Sequence, residues 1–250
     1  MSTVTVATLN LFANMGRWEE RFPLIIEQFA RLQPDAIGLQ EVNLATDQGM
    51  VIARAVNDRL GGEQRYTVYH AARPGKNASS QAQAVMTRLP VTRHEVLDYL
   101  AHDGVAQRLR LDAGGATLDF YATHLYHPPE APQERLAQAR RLLEWADTWS
   151  GAGAVAIVGD FNAYAGEPAV ELMKSRFTSA HEAAQGREPE KTWPTPINTW
   201  DDSPPGTLDY VFVSGAKVVD AALAFDRPAP DDPTLYPSDH LGVMAKLEIG

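Results

Sequence analysis

The sequence contains no cysteine among its 250 residues. This absence excludes disulfide bonds, thiolate metal sites and a cysteine nucleophile, so any bound metal must be held by oxygen or imidazole ligands. A cytoplasmic location is expected, because the N-terminus shows no basic region followed by an apolar stretch. Export of a trimmed chain without disulfides stays open as an alternative.

Long apolar runs and an overall basic charge are also absent. No run approaches the roughly 18 residues that suggest a membrane-spanning helix, so no transmembrane segment is expected. The formal net charge is −10. A protein that binds nucleic acid non-specifically usually has a basic face, so the negative net charge does not favour nucleic acid as a partner.

Acidic residues are missing from one long stretch, residues 64–94. The basic residues of this stretch are Arg65, Arg73, Lys76, Arg88 and Arg93. They form either the solvated edge of a sheet or a local rim that attracts anions, and the sequence leaves both interpretations open.

The remaining composition, 44% hydrophobic and 22% charged, is typical of a globular protein with a substantial core. Strand patterns occur at residues 4–9, 36–39, 117–122, 154–158, 208–213 and 242–249. Helices are predicted around residues 22–32, with Pro23 in the first turn, and from Pro132 and Pro168. Two proline-rich loops, residues 185–206 and 226–238, do not interrupt the pattern. We therefore predict one domain over residues 1–250.

Polar side chains stand where these strands end or begin. A single aspartate at such a position is more often a turn former or helix cap than a catalyst. Here the strand-end set comprises Asn10, Glu41, His124, Asp160, Asn162, Asp209, Asp239 and His240. Groups at strand ends can converge on one rim of a sheet without burial in the middle of the core. Carboxylates and amides suit a hard cation, and histidines suit proton transfer.

These residues lie in motifs that occur in a fixed order along the chain. The fragments are Thr8-Leu9-Asn10, Gly38-Leu39-Gln40-Glu41-Val42, Thr123-His124-Leu125, Gly159-Asp160-Phe161-Asn162, Leu208-Asp209-Tyr210-Val211 and Ser238-Asp239-His240. Together they resemble the motifs of the endonuclease/exonuclease/phosphatase superfamily, which includes deoxyribonucleases, abasic-site endonucleases, sphingomyelinases, deadenylases and inositol-polyphosphate phosphatases. The resemblance implies an α/β fold, a four-layer α/β/β/α sandwich of two packed mixed β-sheets flanked by helices.

The resemblance also implies a divalent cation, Mg²⁺ first and Mn²⁺ or Ca²⁺ as alternatives. Glu41 would be the principal carboxylate ligand, with Asn10 and Asp239 nearby in direct or water-bridged roles. A sparse protein shell is expected because Mg²⁺ keeps several of its waters. The cation would bind a phosphate oxygen and neutralise the charge that develops during hydrolysis.

The same resemblance implies the catalytic roles. Asp160 would orient or deprotonate the attacking water, and Asn162 would hold the phosphoryl oxygens. His240, paired with Asp209, would contact the phosphate. His124 would contact the phosphate or assist the leaving oxygen. Water attacks directly in this family, so no covalent enzyme intermediate is implied.

Three departures from the family pattern matter. Deoxyribonuclease-like members pair the histidine at the position of His124 with a glutamate, whereas residues 64–94 contain no carboxylate. DNA cleavage of that type is therefore not supported. Gln83 stands where many members have asparagine, and it keeps an amide. Asp209 is kept but is preceded by Thr207-Leu208 instead of Arg-Ile, so its local support differs.

The loops expected to contact a substrate are residues 71–83, 126–133, 191–206 and 227–237. The candidate substrate-binding side chains in them are Arg73, Lys76, Asn77, Tyr126, Trp193 and Trp200. The two tryptophans either stack against a base, sugar or lipid, or attach a long loop to the core.

Three functions follow from the sequence. The favoured one is a phosphodiesterase acting on a small-molecule or lipid-headgroup phosphoester, because the chain is acidic and small. The alternative is a metal-dependent endonuclease or exonuclease on DNA or RNA. A non-catalytic binding protein with this fold is disfavoured, because the site residues are intact. The chain is expected to be a monomer.

Overall fold

The alternation of side chains along the first strand sets the layers of the fold. In the computed structural model, which describes residues 1–61, 65–75, 80–148 and 153–250, β1 spans Ser2–Asn10. Val4 and Val6 point to one face, and Ala7 and Leu9 point to the other. Both faces are buried, since successive strand side chains alternate and each face packs against a different layer. The strand therefore lies between a second sheet and a layer of helices.

The first sheet contains six of the strands among the described residues, in the spatial order β11-β12-β1-β2-β4-β3. Besides β1, its strands are β2 (Ala36–Asn43), β3 (Thr67–Ala72), β4 (Gln81–Thr87), β11 (Ala216–Ala224) and β12 (Gly242–Ile249). β1 and β2 pair in parallel, and the other neighbours pair antiparallel. The sheet is therefore mixed.

The second sheet repeats this plan in the described chain with the order β5-β6-β7-β8-β10-β9. Its strands are β5 (Val91–Asp98), β6 (Val105–Asp112), β7 (Thr117–His124), β8 (Ala154–Asp160), β9 (Thr178–Ser179) and β10 (Asp209–Ser214). β7 and β8 are its parallel pair, and the other neighbours are antiparallel.

Four helices cover the outer faces of the two sheets in the described chain: α1 (Trp18–Leu32), α2 (Gln48–Leu60), α3 (Pro132–Asp147) and α4 (Pro168–Lys174). The short helix α5 (Ala180–Gln185) contributes Ala180 to the apolar cluster between the sheets. Ile25 and Phe29 of α1 and Ile52 of α2 pack on the first sheet, and Leu142 of α3 and Val170 of α4 pack on the second. A separate apolar cluster fills the space between the sheets. The predicted α/β/β/α sandwich is thus confirmed.

Several elements escaped the sequence prediction. The helix α2 has a buried face that includes Gln48 and Gly49, so its apolar periodicity is weak. Strand β5 is exposed over much of its length, and β3 is an edge strand, so neither shows a continuous apolar run. The placement of Pro23 was wrong: α1 begins at Trp18, which puts the proline inside the helix rather than in its first turn.

Over the described ranges, no helix is long and apolar enough to cross a membrane. The single-domain assignment and the monomeric state stay predictions.

Candidate active site

The site lies at one end of the layer between the two sheets. The inter-sheet faces of β1, β7, β8 and β10 carry small and aliphatic residues, and their end positions continue those faces with polar ones. These end positions are Asn10, His124, Asp160 and Asp209. Because side chains repeat every second residue along a strand, the four point into the same space from opposite sheets. The geometry explains why residues distant in sequence meet here.

Asn10 joins the two sheets at this rim. Its Nδ2 donates to Glu41 Oε1 at 3.3 Å and to Asp160 Oδ2 at 3.0 Å. Its Oδ1 accepts the backbone N–H of Phe12 at 2.9 Å. Two carboxylates can only accept and a peptide N–H can only donate, so the three partners determine the orientation of the amide. Asn10 therefore bridges two carboxylates, and its predicted role as a direct metal ligand stays a prediction.

A bulge in β2 determines the direction in which the Glu41 side chain points. The register between β2 and β4 shifts between Leu39 and Val42, and Glu41 has a positive φ of 54°. A bulge adds a residue on one strand and re-aims the local side chains. Glu41 consequently reaches the cleft from within the strand rather than from its end, since β2 continues to Asn43.

Asp239 is held by the segment that leads into β12. Ser238 Oγ donates to the carbonyl of Asn10 at 2.6 Å, and the backbone N–H of His240 donates to Ser238 Oγ at 3.2 Å. Thr195 donates its backbone N–H to the Asp239 carbonyl at 2.8 Å. Burial, together with the nearby charge of Glu41, raises the pKa of Asp239 to about 6.

His240 and Asp209 form a buried pair. Nδ1 of His240 lies 2.8 Å from Asp209 Oδ2, and Nε2 lies 3.8 Å from Asp160 Oδ2. Burial alone would lower the pKa of His240, but Asp209, Asp160 and Asp239 outweigh it and raise the pKa well above its usual range. The imidazolium form is therefore favoured, with its Nε2–H directed at the carboxylate of Asp160.

His124 has the opposite protonation state. Burial, and then the neighbouring guanidinium of Arg73, hold the pKa of His124 well below its usual range. Arg73 Nη2 lies 3.0 Å from His124 Nδ1. A guanidinium can only donate, so Nδ1 is the acceptor and the proton of the neutral ring sits on Nε2. That nitrogen lies 3.5 Å from Asp160 Oδ2, which makes His124 a neutral hydrogen-bond donor at the rim.

Asp160 lies at the centre of these contacts. Burial raises the pKa of Asp160 above its usual range; the charge of His240 opposes this rise, and the charge of Asp209 adds to it. Its Oδ1 accepts the backbone N–H of Asn162 at 2.9 Å. Asn162 donates one N–H of its side-chain amide to the carbonyl of Leu125 at 3.0 Å, which leaves the second for a ligand. A raised pKa suits a group that accepts a proton near neutral pH.

These groups open into a cleft of about 360 Å³. Phe12 and Trp200 stack in its wall, with ring centroids 4.9 Å apart and an interplanar angle of 12°. Trp200 is 56% exposed. The other lining side chains include Met15, Glu41, His124, His127, Asp160, Asn162, Tyr164, Glu167, Trp193, Asp201, Asp239 and His240. The cleft combines an acidic floor with an aromatic wall.

The predicted substrate-binding residues separate into three groups. Trp193 and Trp200 line the cleft. Tyr126 is absent from the lining and stacks on His102 at 3.7 Å, and Arg73 lies behind His124. Lys76 and Asn77 fall outside the described residues. The assignment of substrate contacts to the first two groups stays a prediction.

The basic stretch is dispersed by the fold. Arg93 pairs with Glu95 within β5, an edge strand, and Arg88 pairs with Asp35 where β4 ends and β2 begins. Arg73 alone of the four arginines named in that stretch has a described contact with a site residue. The structure therefore favours the sheet-edge interpretation for Arg93, and it provides no continuous basic rim along the described part of the stretch.

The two substituted motif positions have different surroundings. Gln83 is buried and donates its amide to the carbonyl of Val105, away from the cleft lining. The backbone N–H groups of Leu208 and Asp209 donate to Thr192 Oγ1 at 2.9 and 3.1 Å. Oδ1 of Asp209 is buried and has no hydrogen-bond partner in the described chain.

The acidic groups of the cleft fit a hard divalent cation. Glu41 and Asp239 both line the cleft, and neither forms an ion pair with a basic side chain among the described residues. Oxygen ligands of this kind, completed by water, are what Mg²⁺ and Mn²⁺ prefer. Asp160, Asp209 and His240 also approach within 4.8 Å of one another. Their closeness follows from the His240–Asp209 hydrogen bond, and an imidazolium does not ligate a metal, so Glu41 and Asp239 fit the cation better.

Sequence reasoning missed much of the cleft wall. Phe12, Met15, Tyr164, Glu167 and Asp201 line it. Phe12 and Tyr164 lie two residues beyond Asn10 and Asn162, so closeness to a motif is the signal that points to them. Asp201 lies in the loop of residues 191–206 that is expected to contact a substrate, although it is not singled out there. Glu167 directly precedes α4, and no motif points to it.

Comparison with protein families gives one match over most of the chain. The model of the Endonuclease/Exonuclease/phosphatase family matches residues 7–240. This range contains every motif named above.

Two curated proteins are similar over part or most of the sequence. Nocturnin from Xenopus laevis is 29% identical over 263 aligned residues, which cover 91% of this chain and 64% of that protein. Carbon catabolite repressor protein 4 homolog 4 from Arabidopsis thaliana is 28% identical over 156 residues, covering 51% of this chain and 36% of that protein. The chain thus spans between about a third and two thirds of the length of these relatives.

Two solved structures support the fold. Truncated TDP2 from Caenorhabditis elegans has a TM-score of 0.78 at 22% identity, covering 98% of this chain and 97% of that one. The human Nocturnin catalytic domain with bound sulfate anion has a TM-score of 0.78 at 24% identity, covering 100% and 94%.

Proposed function

The chain belongs to the Endonuclease/Exonuclease/phosphatase family, and from this premise we propose that it is a divalent-metal-dependent phosphodiesterase acting on a small-molecule or lipid-headgroup phosphoester. The predicted family is confirmed, and the metal-dependent phosphoester hydrolysis typical of it belongs to the proposal. The observation that carries the proposal is the convergence of Asn10, Asp160 and His240 beside Glu41 and Asp239, two carboxylates that have no ion-pair partner in the described part of the chain.

Glu41 and Asp239 would hold the cation, with water completing its shell. When bound, the cation supplies Lewis-acid stabilisation of the negative charge on the phosphoryl oxygens. Asn10 fixes Glu41 relative to Asp160 through its two N–H donors. The preference for Mg²⁺, with Mn²⁺ or Ca²⁺ as alternatives, belongs to the proposal.

Asp160 would accept a proton from the attacking water. Its buried carboxylate has a raised pKa and lies beside two histidine Nε2 atoms, at 3.5 Å from His124 and 3.8 Å from His240. His240, held charged by Asp209, would donate to a phosphoryl oxygen. His124, neutral with its proton on Nε2, would donate a second hydrogen bond to the phosphate or the leaving oxygen. Asn162 would use its free amide N–H in the same way.

The size and charge of the cleft support a small substrate. A cleft of about 360 Å³ is in the range of a small-molecule site. Asp201 lines its wall, and its carboxylate would repel the backbone of a long polyanion. The leaving group would lie against the exposed ring of Trp200 on Phe12.

A single-stranded nucleic-acid end is the second candidate substrate. The observation that favours it is the same Phe12–Trp200 stack, because an exposed aromatic ring is a platform on which a base can stack. The family itself includes endonucleases and exonucleases.

The test compares hydrolysis of bis-p-nitrophenyl phosphate, p-nitrophenyl phosphate and a single-stranded oligonucleotide, each with Mg²⁺, Mn²⁺ or a chelator. We expect metal-dependent cleavage of the diester in preference to the monoester. Preference for the monoester would indicate a phosphatase, and preference for the oligonucleotide would indicate the nuclease. Absence of turnover with every substrate and metal would contradict the proposed activity.

Two variants connect the activity to the site. Asp160→Asn should lower kcat by at least roughly a hundredfold, because a positioned base contributes about 10²–10⁴. The matched control is Asp112→Asn, which changes an exposed carboxylate at the opposite end of the second sheet. Equal loss of activity in both variants would contradict the assignment of Asp160.

A further inference from the structure

Arg21 is a charged side chain that is completely buried next to the proposed cation site. Its exposed fraction is 0%, and its guanidinium lies 5.4 Å from the ring centroids of Phe12 and Trp18. No carboxylate forms an ion pair with it among the described residues. Burial of an arginine without a direct acidic partner is costly unless hydrogen bonds satisfy the guanidinium.

All of its hydrogen bonds go to backbone carbonyls. Nε donates to Gly16 at 2.7 Å, Nη1 to Leu11 at 3.1 Å and to Pro237 at 2.7 Å, and Nη2 to Phe12, Ala13 and Met15 at 3.4, 3.2 and 2.6 Å. Five of the six carbonyls belong to residues 11–16, the loop directly after β1. The sixth belongs to the residue that precedes Ser238-Asp239.

The loop needs this support because its backbone is strained. Phe12, Ala13 and Arg17 have φ values of 57°, 40° and 60°, a left-handed conformation that residues other than glycine seldom adopt. Other side chains also contact the described loop: Gln48 Nε2 donates to the Ala13 carbonyl at 2.7 Å, Asn10 Oδ1 accepts the Phe12 N–H at 2.9 Å, and Asn43 Nδ2 donates to Asn14 Oδ1 at 2.8 Å. A guanidinium can contact several carbonyls of one loop at once, since its five N–H donors form a planar fork.

Two connections lead from Arg21 to the proposed ligands. Through the loop, it places the Phe12 N–H that orients the amide of Asn10 toward Glu41. Through Pro237, it places Ser238, whose Oγ donates to the Asn10 carbonyl, and the adjoining Asp239. One side chain thus connects the loop after β1, which orients Asn10 beside Glu41, with the segment that carries Asp239.

We propose that Arg21 is a positioning residue that sets the geometry of the divalent-cation site. It does so by donating hydrogen bonds to the backbone carbonyls of residues 11–16 and of Pro237. This inference rests on the proposed function in so far as Glu41 and Asp239 bind the cation. Arg21 itself touches neither cation nor substrate in this role. Its effect should therefore appear first in the affinity for the metal, before any catalytic step.

The test measures Mn²⁺ binding by isothermal titration calorimetry in the absence of substrate, for the wild type and for Arg21→Lys. Lysine keeps the positive charge but lacks the planar set of N–H donors, so most of the hydrogen bonds to the loop are lost while the charge remains. We expect Mn²⁺ binding to weaken by roughly 10- to 100-fold, the usual consequence of losing a group that orients metal ligands. Unchanged affinity in a folded Arg21→Lys protein would overturn the proposal.

A matched control separates positioning from general destabilisation. Arg108 is also buried, with 1% exposure, but its partners Asp119 and Glu95 lie in the second sheet. Arg108→Lys should lower the melting temperature and leave Mn²⁺ affinity unchanged. If both lysine variants weaken Mn²⁺ binding equally, the effect of Arg21 is general and the proposal is wrong.

A milder variant covers the case in which Arg21→Lys does not fold. Gln48→Met keeps the size of the side chain and removes its hydrogen bond to the Ala13 carbonyl, together with the acceptor for the Asn43 N–H. It should weaken Mn²⁺ binding in the same direction by a smaller factor, and unchanged binding would contradict the role of the loop. A wild type that binds no Mn²⁺ would contradict the proposed function instead, so the two failures are distinguishable.

Discussion

Individual side chains at the rim differ most in their protonation. His240 and His124 lie near the same carboxylate of Asp160, yet acidic neighbours surround the first and Arg73 contacts the second. The pKa of His240 is therefore raised and that of His124 is lowered. One ring is held charged and the other neutral, so both present an N–H at neutral pH. In the proposed site both histidines serve as donors, and Asp160 is left as the proton acceptor.

A third histidine offers a test of residue-level electrostatics away from the site. His70 lies in β3, its Nε2 is buried without a hydrogen-bond partner in the described chain, and burial lowers its pKa. The unfolded chain therefore binds this proton at higher pH than the folded chain does. As the pH falls below about 6.5 toward the folded pKa, His70 should reduce the free energy of unfolding.

The measurement is urea unfolding from pH 8 to pH 5 for the wild type and for His70→Gln, which stays neutral throughout. We expect the wild type to lose stability relative to the variant as the pH falls. His181→Gln, at a surface position on α5, is the control and should follow the wild type. Parallel curves for wild type and His70→Gln would show that burial of His70 has no effect on its titration.

At the scale of elements, the two sheets approach closely at β2 and β8. A Cβ added at Gly38 would lie 2.7 Å from Val158 Cγ2 and 3.0 Å from the Ala122 Cβ of β7. Glycine therefore allows the two sheets to pack closely at this point. Gly38 lies just before the bulge of β2 that directs the Glu41 side chain into the cleft. The approach of the sheets and the position of a proposed ligand are linked through this strand.

The variant Gly38→Ala tests how closely the two sheets pack at this position. The added methyl group has no free space, so overpacking should cost about 1–3 kcal/mol of unfolding free energy. Urea denaturation, read as a shift of the midpoint at constant slope, measures this loss. A midpoint equal to that of the wild type would show that the sheets separate without cost.

The whole molecule should respond to the cation as a ligand of the folded state. Binding that favours the native protein stabilises it by about 2.7 kcal/mol at a hundredfold excess over Kd. For a chain of this size, each kcal/mol raises the melting temperature by roughly 2–4 °C. We therefore expect Mn²⁺ to raise the melting temperature of chelator-treated protein.

Asp239→Asn should remove this rise and, in chelator, make the protein more stable than the wild type. The reason is that Asp239 is a buried carboxylate without a basic partner among the described residues, and its charge is costly until a cation compensates it. Thermal denaturation with and without Mn²⁺ measures both effects. Retention of the full Mn²⁺ shift in the variant would exclude Asp239 as a ligand.

Much of the fold and of the candidate site could be predicted before the structure was known. The apolar patterns predicted strands alternating with amphipathic helices, and the resemblance of the motifs to a known family implied two sheets covered by helices. Asn10, His124, Asp160 and Asp209 stand at strand ends, so their presence at one rim followed from position. Elements with mixed burial, such as α2, left too weak an apolar pattern to be predicted.

How these groups act on one another depends on the tertiary structure. The contact of Asn10 with Asp160 joins residues 150 positions apart, and that of Arg21 with Pro237 spans 216. Arg73, whose predicted contact with the substrate stays a prediction, lies against His124 and determines which ring nitrogen carries the proton. Such pairings depend on the packing of one sheet against the other, because hydrogen-bond geometry and desolvation are properties of the assembled rim and not of any local pattern in the chain.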